Sequence, residues 1–302
     1  MPAFLFSGLP AYAWQVVFHS FVAGTILYVW AHFVELSSGR AKRFALAALL
    51  VLPLVTAAVP GRTSLEFRAA GAWLDSSRLL AVPLGGPARV WHVVVVLAAG
   101  TAVVTIVQEI VPALRRRRLG LRPAPESVER LCRALPGWEK CRVRVRPGRR
   151  VHLATSGRPS RPRVLLSEGA IESLGPDELL VALRHENAHW SSGRWLLSHV
   201  LFALRLLQLH NPVALWSFRE YCVEVEIQCD AEAVAGSDPR LLARTLLDLY
   251  DSTHRRDIAA RAAFRKRVDL LLERDGPALE APTPRTVIVA SCLLLGALPW
   301  LV

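Results

Sequence analysis

Cysteine is sparse and unpatterned in this 302-residue chain: Cys132, Cys141, Cys222, Cys229 and Cys292 are odd in number, and no two have CxxC spacing. No disulfide framework is expected from such a set. Acidic residues are outnumbered, 25 against 37 Lys and Arg, which leaves a net charge of +12. The basic stretches lack any aromatic-and-basic reader motif, so direct nucleic-acid binding is not expected. No internal repeat is visible. The first apolar run has no basic segment before it and no small-residue cleavage site after it, so it does not read as a cleaved signal peptide.

What is plentiful is apolar sequence, 52% of the residues, gathered into long runs. Residues 11–34 carry no Lys, Arg, Asp or Glu, and further runs cover about 42–59, 90–112 and 285–302. A bilayer-crossing helix needs about 20 apolar residues, so four transmembrane helices are expected, the second containing Pro53. Between Arg115 and Arg150 thirteen basic residues face three acidic ones, beginning with Arg115 to Arg118 directly after the third run. The excess of positive charge beside membrane segments marks this side as cytosolic and puts both termini outside. A lipid-surface patch is compatible with the same charges. The expected organisation is a membrane domain over 1–114, a cytosolic domain over 115–284 and a final span over 285–302. Within the second, an apolar hairpin over 195–218 packs on the catalytic unit or dips into the membrane interface.

The chemistry lies in His185-Glu186-Asn187-Ala188-His189, an HExxH motif inside a helix-like stretch from Asp177 to about Ser191. A helix advances about 100° per residue, so His185 and His189 share a face one turn apart and can grip one metal ion. Glu186 falls beside them as a candidate general base for a metal-activated water, the arrangement of a zinc peptidase. Catalytic zinc takes three protein ligands. Glu224-Val225-Glu226-Ile227-Gln228-Cys229-Asp230 lies downstream on another predicted helix, with Glu226 and Asp230 on one face. Glu226 is the candidate third ligand, and Asp230 the candidate acceptor for the free N–H of a ligating histidine. Glu224 points about 200° away, and Cys229 is a soft ligand surplus to a full His-His-Glu set.

Upstream of the motif, a short helix is expected at Glu126–Leu135. Strands are expected at Cys141–Val145, Val151–Thr155 and Arg163–Leu166, the last a candidate edge to hold an extended substrate by backbone pairing. Further helices are expected at about Arg219–Ala235, Pro239–Ser252 and Asp257–Arg274. His152, His199, His210 and His254 are candidates for the transition-state donor. His19, His32 and His92 lie in or beside the apolar runs.

HExxH, then an apolar helix closing at Leu209-His210-Asn211-Pro212, then Glu226-Ile227-Gln228-Cys229-Asp230, resembles the integral-membrane metallopeptidases of the BlaR/MecR antirepressor type. Val164 to Gly169 and Phe264 to Val268 resemble that family's flanks. The resemblance implies one Zn2+ per chain, with His185, His189 and Glu226 as ligands, Glu186 as general base and Asp230 orienting a ligand. It also implies a mainly α membrane protein: about four spans plus a zincin-like α+β unit with a small sheet. The implied partners are the lipid bilayer and a cytosolic protein substrate, a DNA-binding repressor cleaved in signalling; a homodimer is left open. No residues follow the fourth run, so the family's extracellular penicillin-binding sensor is not expected. The rival readings are an HtpX-like membrane-protein quality-control peptidase and a non-catalytic transmembrane receptor.

Overall fold

The computed structural model describes residues 16, 19–20, 23–28, 39–58, 96, 99–100, 103–104, 106–107, 111, 120–158, 161–191, 193–208, 211–251 and 258–273. Two compact units divide the chain. The first comprises Met1–Arg115, His199–Tyr221 and Pro282–Val302; the second comprises Arg116–Ser198 and Cys222–Ala281. The spans expected at 11–34, 90–112 and 285–302 lie largely or wholly outside the described residues. Among the described residues no helix is long and apolar enough to cross a membrane.

In the first unit, helix α1 (Gly39–Ala58) buries Ala45, Leu46, Leu49 and Leu50. Pro53 inside it lacks the N–H that would bond the Leu49 carbonyl. One residue on, the Leu50 carbonyl accepts from Gln208 Nε2 at 2.7 Å. A buried polar chain continues from there. Asn211 Nδ2 donates to Gln208 Oε1 and, at 2.7 Å, to Ser20 Oγ, which donates to the Val16 carbonyl. Arg205 is buried between the Phe202 and Phe218 rings, 5.4 and 5.5 Å from their centroids, where its cation meets two aromatic faces.

The second unit is mainly helical with one mixed sheet. Its elements are β1 (Arg122–Pro123), α2 (Glu126–Arg133), β2 (Arg142–Arg146), β3 (Leu153–Arg158), β4 (Arg161–Ser167), α3 (Glu168–Ser173) and α4 (Pro176–Ser191). Then come α5 (Arg194–Leu207) and α6 (Pro212–Ala233), each shared with the first unit, and α7 (Pro239–Asp251) and α8 (Ile258–Leu272). The sheet order is β1-β2-β4-β3, with β2 and β4 parallel and the other pairs antiparallel. The chain passes from β2 to the outer strand β3, whose last pairs set Gly157 opposite Pro162, and then returns to insert β4 in the middle. Gly157 has φ +108°, and a Cβ there would sit 2.9 Å from the Arg161 carbonyl oxygen, so the hairpin needs a glycine.

This order corrects one expectation. Arg163–Leu166 is not an edge: β4 is paired on both sides, and β3 is the edge strand. A second difference concerns the ligand helix. Instead of starting at about Arg219, α6 runs unbroken from Pro212, because nothing between Trp216 and Glu220 breaks a helix. Pro212 is a starter there, and Asn211 Oδ1 accepts from Val213 N–H as the N-cap.

Helix α4 lies between two cores. Leu179 and Leu183 face the sheet, packed with Val128, Cys132, Trp138, Val143, Val164 and Leu166. Val181 faces the helices, packed with Ala233, Val234, Leu242, Leu246 and Leu271. Each fully buried leucine contributes about 1.5–3 kcal/mol, enough to fix how α4 is rotated about its axis. Its start is sealed by Pro176 in the first turn and by the Glu178 carboxylate, which accepts from Gly175 N–H at 2.9 Å. Its end is closed by Gly193, at φ +68°, whose N–H reaches back to the Trp190 carbonyl.

Candidate metal centre

The rotation of α4 sorts the motif between its two sides. One turn and two turns beyond Val181 come His185 and His189, on the face toward the helices. One turn beyond Leu183 comes Glu186, on the face toward the sheet. The two imidazoles meet edge to face with centroids 5.0 Å apart. Helix α6 brings Glu226 against both: its Oε2 lies 3.2 Å from His185 Nε2 and its Oε1 3.3 Å from His189 Nε2. One donor atom from each of the three residues falls within 4.8 Å of the others, a grouping that could hold a metal ion.

The fit to zinc can be tested on these separations. A tetrahedral ion with bonds of about 2.0–2.1 Å holds its ligand atoms roughly 3.3–3.4 Å apart; the two His–Glu separations are close to that, and the three donor atoms together lie within 4.8 Å. The outer nitrogens agree. His185 Nδ1 lies 2.9 Å from Asp230 Oδ1, at an angle short of a full hydrogen bond, and His189 Nδ1 lies 3.4 Å from Cys229 Sγ. Each ring therefore turns Nδ1 outward, His185 toward a carboxylate and His189 toward the Cys229 sulfur, and Nε2 toward the centre, the ring orientation a metal requires.

The charges point the same way. Burial opposes protonation of His185, but Asp230 and Glu226 outweigh it and lift its pKa to about 10. His189 rises to about 11, against burial, through Cys229 and Glu226. Without a metal the cluster therefore holds protons, a demand for positive charge that a dication meets.

Three side chains beyond the expected set build the surroundings. Arg267, on α8, clamps Asp230 with two hydrogen bonds of 2.7 and 2.8 Å and reaches Glu226 Oε2 at 3.0 Å. Burial alone would raise the pKa of both carboxylates. The Arg267 charge outweighs it, helped by the histidines, and holds Glu226 well below the ordinary value and Asp230 below its own. Arg194 binds the Ala188 carbonyl at 3.1 Å, Cys229 Sγ at 3.4 Å and both oxygens of Glu232. The Ser191–Trp195 segment thus carries the charge that ties the end of α4 to α6. Thr155, on β3, donates to Glu186 Oε2 at 2.5 Å. Thr155 lay in a predicted strand and Arg267 in a flank of the resemblance, but neither position alone named a partner.

Other candidates fall elsewhere. Glu224 pairs with Lys266 at 2.9 Å, away from the cluster. Cys229 is fully buried and touches His189 from behind rather than joining the donor group. His199 belongs to the first unit, and His210 and His254 lie outside the described residues. His152 immediately precedes β3, with its backbone N–H on Ser167 Oγ. The four described cysteines are free thiols.

Residues 5–270 match the model of the family described as BlaR1 peptidase M56. No curated protein matches. Among solved structures, the crystal structure of S. mikatae Ste24p is similar at 16% identity with a TM-score of 0.37. The match covers 69% of this chain and 63% of that one, so the chain spans less than two thirds of that protein's length.

Proposed function

Because the chain belongs to the BlaR1 peptidase family, M56, we propose that it is a membrane zinc endopeptidase of regulated proteolysis. The observation that carries the reading is the convergence of His185, His189 and Glu226 within 4.8 Å, with Glu186 on the adjoining face of α4. These three residues would hold the ion. When bound, zinc supplies Lewis acidity to a water molecule and to the scissile carbonyl. Glu186 takes the proton from that water and returns it to the leaving amine. Thr155 occupies Oε2 of Glu186 and so leaves the other oxygen for the proton transfer. Asp230 and Cys229 orient the two imidazoles, and Arg267 keeps Asp230 and Glu226 ionised.

The edge strand β3 supports an extended peptide as substrate. Among the described residues its outer side has no strand partner, and Thr155 fixes it against Glu186. A peptide added to that edge gains backbone hydrogen bonds and brings its carbonyl to the general base. A cytosolic substrate fits the basic run after residue 114, and a DNA-binding repressor is the substrate implied by the family.

Glu186→Gln tests the reading in the full chain. Turnover should fall by on the order of 10²–10⁴-fold, with one metal per chain retained by mass spectrometry. Comparing N-termini of cellular proteins with and without the variant identifies the substrate. Unchanged cleavage by Glu186→Gln overturns the peptidase assignment.

A further inference from the structure

The outer face of the sheet takes no part in the metal centre, yet its charge is strongly one-sided. From Lys140 to Ser167 the chain carries nine basic residues and no acidic one. Strand alternation sends Val143, Val145, Val164 and Leu166 into the core. It leaves Arg142, Arg144, Arg161 and Arg163 exposed on the other face, with Arg146 half-buried beside them. The parallel register sets Arg142 directly beside Arg163. Neighbouring strands lie about 4.8 Å apart and alternate residues about 6.6 Å apart. That grid is finer than the Debye length of about 8 Å at physiological salt.

None of these five arginines has an ion pair among the described residues. The acids flanking the stretch are engaged elsewhere: Glu139 accepts from Gly137 N–H, and Glu168 meets Arg122 and Gly148 N–H. Like charges side by side across strands destabilise a sheet, and an apposed layer of anions removes that repulsion. The outward positions of β2 and β4 hold no Phe, Tyr or Trp, so the face offers nothing for nucleic-acid bases to stack on.

We propose that this face binds the anionic phospholipid headgroups of a bilayer surface. Chain connectivity brings it within reach. The apolar run ends at Pro112, Arg115 to Arg118 follow, and β1 opens at Arg122. Ten residues at full extension reach at most about 35 Å, so the sheet is tethered close to any membrane the run enters. The inference rests on the membrane reading above and not on the peptidase chemistry, and its test needs neither metal nor substrate.

The full chain is reconstituted in nanodiscs of zwitterionic lipid, or of the same lipid with phosphatidylglycerol added. Phenylglyoxal modification of arginines is then followed by mass spectrometry. Anionic discs should slow modification of Arg142, Arg144, Arg161 and Arg163 by about fivefold or more. The exposed Arg130 and Arg133 of α2 should be unaffected, and high salt should restore the rates. In a fourfold variant (R142Q, R144Q, R161Q and R163Q), Arg149 and Arg150 should react alike in both disc types. Equal rates for the wild-type face in the two discs overturn the proposal. So does shielding by added duplex DNA or an acidic peptide without shielding by the anionic lipid.

Discussion

Arg267 holds two carboxylates of the site at once, and both are needed ionised: Glu226 faces the two histidines, and Asp230 backs His185. Removing a cation from buried anions costs about 3–5 kcal/mol where nothing else compensates them, and the protonated histidines of the metal-free cluster offset part of that here. Arg267→Met should therefore lower the thermal stability of the metal-free chain, by less than that amount. Arg267→Lys keeps the charge without the planar fork, and should lose less. Thermal unfolding of both variants in detergent checks the ranking; equal losses would show that the fork, not the charge, is what matters. The partnership was invisible in the sequence for a physical reason. Arg267 and Asp230 are 37 residues apart, and Thr155 and Glu186 are 31 apart, separations set by tertiary packing that no helical or strand period encodes. His185 and His189, by contrast, are a turn apart on one helix, so their pairing was legible without coordinates.

At the scale of elements, the end of α4 determines how firmly His189 is held. Gly193 stops the helix, and Arg194 fastens its last turn to Cys229 and Glu232 on α6, the helix that carries Glu226. Arg194→Gln should weaken metal binding by about 10–100-fold, the usual effect of losing a group that orients a ligand. A chelator-competition titration measures it. Hydrogen exchange should quicken in the last turn of α4 and not beside Leu179. Unaltered affinity would mean that packing alone fixes the helix end. The same scale shows where sequence reading stops. Helix α4 announced itself by the spaced histidines and the ligand half of α6 by its spaced acids, though the start of α6 at Pro212 was not read; β2 to β4 showed in alternating valines and turn glycines. Strand order carried no such mark: β4 is the more apolar strand because it is central, and the edge beside Glu186 belongs to β3.

For the molecule as a whole, the metal centre is a cross-link between distant parts of one unit. Its candidate ligands come from α4 and α6, and Arg267 adds α8, so the grouping exists only when all three helices are assembled. A metal that binds this assembly and not the unfolded chain stabilises the second unit by mass action, about 4 kcal/mol at a thousand times its Kd. In a unit of this size, each kcal/mol moves the midpoint by about 2–4 °C. Chelation should therefore lower the unfolding temperature of this unit by roughly 10 °C, and restored zinc should recover it. The first unit contains none of these residues, so its unfolding should stay where it was. Limited proteolysis across a temperature series, with peptides assigned to 116–198 and 222–281 or to the remainder, separates the two responses. If both units shift together, the metal's influence extends beyond the helices that hold it; if neither shifts, the three donors do not bind the ion tightly enough to serve as its site.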